Sequence, residues 1–169
     1  MLKRIIVSVL ILSALLFSVG CTADNAPLLS FSENDASFTA VFPSSSGDVT
    51  AECTKTGDCF TLTVVSPERS SGVRVETKTD GSCVLCPLVG DGITLSAEAG
   101  KRLTSVLGLL SRGGNGSPVI KKADGGGSEI IWDDGKLTLG DDGLPMKIEM
   151  FGDGGREVAI TNYKITEKP

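Results

Sequence analysis

The sequence predicts a mainly β fold with one long helix: an antiparallel meander of short strands curling into a sheet or barrel, with the helix packed on it. Three observations carry this. Apolar and polar residues alternate with period 2 in several short runs, as in Val73-Arg-Val-Glu-Thr-Lys-Thr79. Turn signals recur about 8–12 residues apart, most of them Asp-Gly pairs. The period changes once, where Leu103, Val106, Leu107 and Leu110 fall on one stripe of a helix.

The elements follow in order. Met1-Leu2-Lys3-Arg4 is a basic start, Ile5 to Phe17 is almost wholly apolar, and Ser18-Val19-Gly20 closes the run with a small residue. This is the layout of a secretory signal, and the run falls short of the ~20 residues that span a bilayer. Thr22 to Pro27 reads as a polar tether. Strands are read at Phe38–Phe42, Val49–Thr54 and Cys59–Val65, with a turn at Lys55-Thr56-Gly57-Asp58. Val73–Thr79 and Ser82–Val89 follow, joined by the hairpin signal Asp80-Gly81.

A helix spans Ala97 to Ser111, with Ser96 to cap its start, Glu98 in its first turn and Arg112-Gly113 to end it. Its apolar stripe needs a cover, and the sheet is the large partner. Strands resume at Val119–Ala123, Ser128–Trp132, Lys136–Leu139, Pro145–Phe151 and Glu157–Ile165. The Asp-Gly pairs between them read as hairpin turns. They lack the alternating Asp/Asn ligands and later Glu of a calcium loop.

Gly20-Cys21 resembles the end of a bacterial lipoprotein signal, with Ser18 where an aliphatic residue is usual. That resemblance implies acylation of Cys21, which becomes the new N-terminus. The chain is then expected to be exported and lipid-anchored to the outer face of the cell membrane. Each buried CH₂ of the anchor adds about 0.8 kcal/mol. Three parts follow: a signal over 1–20, a lipidated N-terminus and tether over 21–37, and a domain over 38–169. Removing Lys3 and Arg4 from the 16 basic residues leaves 14 against 21 acidic, a net charge of −7. Such a chain, with no basic cluster, is not expected to bind nucleic acid.

Three stretches add a resemblance to a fold family. Ser66-Pro67-Glu68-Arg69-Ser70-Ser71-Gly72-Val73, Gly143-Leu144-Pro145-Met146-Lys147-Ile148 and Ile160-Thr161-Asn162-Tyr163-Lys164-Ile165 occur in order. Together they resemble the LolA/LolB-like group of lipoprotein carriers and related germination lipoproteins. The amphipathic N-terminal helix of that group is not read before Phe38, because Ser30, Ser32, Asn34 and Asp35 interrupt the pattern. The resemblance implies an antiparallel half-barrel with the helix packed on its concave face, and a hollow that receives acyl chains. Burial drives such binding at roughly 25 cal/mol per Å². The residues expected to line the hollow are Val49, Ala51, Phe60, Leu62, Val64, Val73 and Val75 from the first half. Leu103, Val106, Leu107 and Leu110 would come from the helix, with Trp132, Ile148 and Met150 from the second half. The same residues could instead pack on one another as a closed core.

Four cysteines remain. Cys83-x-x-Cys86 is not placed at a helix start, as a thioredoxin-type dithiol requires. Cys53-x₅-Cys59 is wider than the usual zinc knuckle, so no metal is expected. Disulfides or buried thiols are left, and Cys53 with Cys59, across the turn, is the better-placed pair.

Catalysis has little support. With no histidine there is no Ser-His or Cys-His pair. Gly125-Gly126-Gly127 lacks the Lys-Ser/Thr of a phosphate loop. Asp133-Asp134 and Asp141-Asp142 sit in glycine turns. No cofactor is expected. Two roles stay open: a carrier of a lipid or acyl chain, and a lipoprotein that docks a protein partner in the cell envelope or in spore-related assembly.

Overall fold

The structure is a computed structural model that describes residues 30–113, 115–152 and 155–166. The signal, Cys21 and the tether at 22–27 lie outside the described residues. Helix α1 (Ser30–Glu33) leads into β1 (Asp35–Phe42), β2 (Val49–Thr56) and β3 (Cys59–Ser66). A single helical turn, Glu68–Ser70, precedes β4 (Arg74–Lys78), β5 (Cys83–Cys86) and β6 (Ile93–Thr94). Helix α2 (Ala97–Arg112) then crosses to β7 (Val119–Lys122), β8 (Ser128–Trp132), β9 (Gly135–Leu139), β10 (Pro145–Met150) and β11 (Glu157–Thr166).

Among the described residues, eleven strands form one antiparallel sheet, in the order β6-β5-β4-β3-β2-β1-β11-β10-β9-β8-β7. Two meanders therefore join at β1 and β11, the first and last strands of the chain. Helix α2 touches β4 and β5 on one side and β9 and β10 on the other. A sheet whose distant strands reach the same helix must curl around it. The predicted class, mainly β with one helix on the concave face of a half-barrel, is the class observed.

The curl is tight at two glycines. A Cβ on Gly100 would lie 2.3 Å from the carbonyl oxygen of Gly81, so only glycine lets α2 approach the β4–β5 hairpin. A Cβ on Gly135 would meet both Glu149 O and Leu109 Cδ1 at 2.9 Å. The helix stops at Gly113, whose φ of +53° is the left-handed conformation that ends many helices. Among the described residues, no helix is long and apolar enough to cross a membrane.

Two boundaries differ from expectation for physical reasons, and one strand carries a bulge. The fold starts before Phe38: Ala36 is buried in β1 and Phe31 of α1 is wholly buried, so 30–37 belong to the domain rather than to a tether. The β2–β3 turn is two residues, Gly57-Asp58, because Thr56 pairs with Cys59. Lys55 is thus a strand residue on the inner face, paired with Ala36 and Phe60. In β11 the inward phase shifts from Val158 and Ile160 to Tyr163. Asn162, at φ +54°, absorbs the extra residue of a bulge where the β1 register jumps between Ser37 and Thr39. The shift stacks Tyr163 on Phe38, with ring centroids 5.4 Å apart.

The outer face of β7–β11 carries a ladder of opposite charges. Glu129 pairs with Lys121 at 3.5 Å and Lys136 at 2.9 Å; Lys136 reaches Glu149 at 2.9 Å, and Lys147 joins Glu149 and Glu157, each at 3.3 Å. Hydrogen bonds from Lys136 hold both Glu129 and Glu149 below the ordinary carboxylate value of 4.5. Bonds to Glu149 and Glu129 in turn hold Lys136 above its ordinary 10.5. Depressed carboxylates stabilise the fold above their unfolded value and lose that contribution as pH falls through the lower folded value. A raised lysine acts in the opposite sense and is lost only in strong base. The ladder therefore contributes fully between pH 4.5 and 10.5. Replacing Glu129 and Glu149 together by Gln is expected to lower stability at pH 7 by about 1 kcal/mol. The gap should be smaller at about pH 3, where the pH has dropped below the ordinary carboxylate range toward the lowered folded values. Urea titrations at the two pH values check this; an equal loss at both would rule out the charge mechanism.

Candidate functional site

Pairing sets the inner face in rows across the strands. One row runs Phe38, Cys53, Leu62, Val75, Leu85 and a second runs Ala36, Lys55, Phe60, Thr77, Cys83. In the other half Ile120, Ile130, Leu137, Ile148 and Val158 form a third. Helix α2 lays Val106, Leu107, Leu109 and Leu110 on these rows, all buried.

The residues expected to line a hollow divide into two groups. Phe60, Leu62, Val106, Leu107, Leu110, Trp132 and Ile148 are buried in one continuous core that also holds Ala51, Phe31, Phe38 and Leu109. Val75, Leu103 and Met150 are partly buried against it. Val49, Val64 and Val73 are half-buried. The middle of the concave face is thus filled by the protein's own side chains. Apolar surface remains open only where the packing ends.

That opening lies at one end of the half-barrel. A groove of about 580 Å³ is lined by Phe42, Pro43, Ser44, Arg102, Leu103, Val106, Gly155, Arg156, Glu157 and Val158. An adjoining hollow of about 460 Å³ shares Arg102, Val106, Gly155 and Arg156 and adds Ser105, Met150 and Phe151. Of the residues named from the sequence, Leu103, Val106 and Met150 reach this opening. Phe42, Phe151, Val158 and the two arginines were not anticipated. The sequence signal for Phe42 was present, since an apolar strand ends there on Pro43-Ser44-Ser45-Ser46-Gly47. Arg102 and Arg156 carry no local signal; the fold alone puts them together. On the other flank of α2 a hollow of about 440 Å³ is polar, bordered by Asp58, Asp80, Lys101, Ser105 and Arg112.

The cysteines do not pair. All four are free thiols. In β2–β3 the register sets Cys53 opposite Leu62, on the inner face, whereas Cys59 pairs with Thr56 and is exposed. Of the two alternatives left open, the possible Cys53–Cys59 disulfide is disfavoured by strand parity, because the two side chains leave opposite faces of the sheet. The same alternation separates buried Cys83 from Cys86 along β5. Nor do the four share one end of the sheet: Cys53 sits in mid-strand, and Cys86 pairs with Arg74 at the far end of β4 from Thr77, the partner of Cys83. Burial pushes the Cys53 thiol up to about 12 and raises Cys83 as well, so both are inert at neutral pH. Among the described residues, no three His, Cys, Asp or Glu side chains converge on a metal position.

Three acidic residues of the turns have structural partners. Asp80 accepts the Ser82 N–H at 2.8 Å, and Asp142 accepts the Leu144 N–H at 3.0 Å, each closing its own turn. Asp134 binds Arg112 through both carboxylate oxygens, and that guanidinium lies 5.6 Å from the Trp132 ring centre. Trp132 donates its indole N–H to Asn115 O at 2.9 Å. These contacts fasten the end of α2 to the β8–β9 hairpin.

Fold and groove together define the class: one antiparallel sheet curled about a helix, closed in the middle and open to an apolar groove at one end. Among solved structures, the chain is similar to an uncharacterised conserved protein of Thermus thermophilus, with 7% identity, a TM-score of 0.48, and 85% of this chain and 86% of that one covered. It is also similar to a LolA superfamily protein of Nitrosomonas europaea, with 12% identity, a TM-score of 0.43, and 85% and 94% covered. No protein-family model matches the chain, and no curated protein matches it.

Proposed function

We propose that this is an exported lipoprotein, anchored through an acylated Cys21 to the outer face of the cell membrane, which binds the alkyl part of a lipid or similar hydrophobic ligand without catalysis. The observation that carries the binding role is the groove at the open end of the half-barrel. Its volume of about 580 Å³ falls within the ~300–1,000 Å³ usual for small-molecule sites. Phe42 and Leu103, only partly buried, offer it apolar surface, and the core residues Val106 and Val158 complete its lining. The alkyl part of a ligand lying there would be held by burial, a non-directional force that suits a carrier that must also release it.

Native mass spectrometry of the protein, isolated without detergent, tests the reading. The expected result is a lipid-sized adduct, which Leu103→Gln removes while the unfolding midpoint moves little, Leu103 being only partly buried. No adduct, and no uptake of added alkyl chains, would overturn it. Anchoring is tested separately: Cys21→Ser is expected to abolish acyl labelling and release the protein from membranes.

A second reading has its own observation. Leu88, Val89 and Ile93 are 67%, 89% and 55% exposed, close together at the β5–β6 edge of the sheet. Apolar residues clustered at a sheet edge suit docking of another envelope protein. Under this reading Val89→Asp removes a specific cross-linked partner and leaves lipid uptake intact.

A further inference from the structure

We infer that the groove selects an anionic amphiphile, a long-chain carboxylate whose head is held by Arg102 and Arg156; this rests on the alkyl-binding reading above. Both arginines border both compartments of the opening, and much of the lining between them is apolar: Phe42, Leu103, Val106 and Phe151. In a chain with 21 acidic against 16 basic residues, two cations converging on an apolar groove oppose the general charge.

The local balance supports the same sign. Among the described residues, two acids bear on the site: Glu98, paired with Arg102, and Glu157, in the groove lining. Glu157 is tied to Lys147 at 3.3 Å. Glu98 pairs with Arg102 at 2.6 Å, an i,i+4 contact on the helix that engages one guanidinium nitrogen. Arginine has five N–H donors, so Arg102 keeps others for a second acceptor. Arg156 is exposed and makes no ion pair among the described residues. Planar guanidinium groups match a carboxylate with two parallel hydrogen bonds, which a neutral hydroxyl head cannot use. The alkyl tail would lie along Leu103 and Val106, toward Phe42 and Val158. An amphiphile is thereby oriented with its head beside Arg102 and Arg156.

Calorimetric titration of the full chain with dodecanoate, dodecanol and dodecyltrimethylammonium tests this, the two ions below their micellar concentrations and dodecanol below its solubility limit. Dodecanoate is expected to bind about tenfold more tightly than dodecanol, with the ammonium weakest. Arg156→Gln is expected to weaken dodecanoate far more than dodecanol, bringing the two to a similar level. If wild type binds dodecanoate and dodecanol equally, the headgroup inference fails while alkyl binding stands. If Arg156→Gln weakens both ligands alike, the arginine only shapes the groove and the inference fails again. If none of the three binds, both readings are overturned.

Discussion

Lys55→Met is expected to lower the unfolding free energy by about 2–4 kcal/mol. Lys55 is 2% exposed, and its ammonium donates to Ser32 O at 2.9 Å and Asn34 O at 2.7 Å. These carbonyls lie at the end of α1, where the helix leaves acceptors without intrahelical donors and where positive charge is favoured. Methionine keeps the apolar stem and removes the donors. Two part-buried carbonyls would then lose this charged donor, and a hydrogen bond to a charged group is worth about 1.5–3 kcal/mol. The loss should be local first, since α1 carries Phe31 into the core and Tyr163 holds it only through a long 3.4 Å bond to Phe31 O. Urea denaturation gives the total, and amide exchange over residues 31–36 gives its place. A variant within about 0.5 kcal/mol of wild type, inside the range of ordinary surface substitutions, would show that the ammonium is not a structural clamp.

Leu109→Ala should cost about 3–5 kcal/mol, the range for emptying a well-packed core site. Leu109 is wholly buried and rests over Gly135, where no Cβ stands between helix and strand. The surrounding backbone of β9 and β10 cannot move in without breaking its pairing, so a cavity remains. Leu103→Ala, at the groove, should cost less than half as much, because one side of that residue already faces the opening. The contrast bears on function as well as stability. Were the middle of the half-barrel a ligand-filled hollow, the two substitutions would have similar, small effects. Unfolding curves of the two variants, measured together, decide between a packed middle and an open one.

Much of the architecture was legible because it rests on local chemistry. Asp80-Gly81 and its counterparts demand tight turns, and period-2 runs such as Val73–Thr79 can bury one face only as strands. Leu103, Val106, Leu107 and Leu110 mark α2 because no strand places them on one face. Leu109 escaped the sequence reading for the same reason. It lies off the narrow stripe, and it is buried because the sheet wraps two sides of the helix and so covers a wider arc than one flat partner would.

Register was not legible. Reading the β2–β3 turn as four residues instead of two misplaced Lys55 and left Cys53 and Cys59 as plausible partners, whereas the observed pairing sends them to opposite faces. The bulge at Asn162 likewise has no signature in Ile160-Thr161-Asn162-Tyr163 that separates it from regular strand. A one-residue change in register inverts every side chain beyond it, and which register wins depends on partners more than a hundred residues away, as with β1 and β11.

By itself, then, the sequence determined the class of fold, the acidic character of the chain and the absence of a histidine-based nucleophile. Each of these depends on composition or on neighbours a few residues apart. Only the tertiary structure decided that the middle of the half-barrel is packed, that the cysteines are separate thiols, and that Arg102 of α2 and Arg156 before β11 flank one apolar groove. Those facts belong to pairs of segments that meet only when eleven strands close around one helix, so the physical information that specifies them is held in contacts between distant segments.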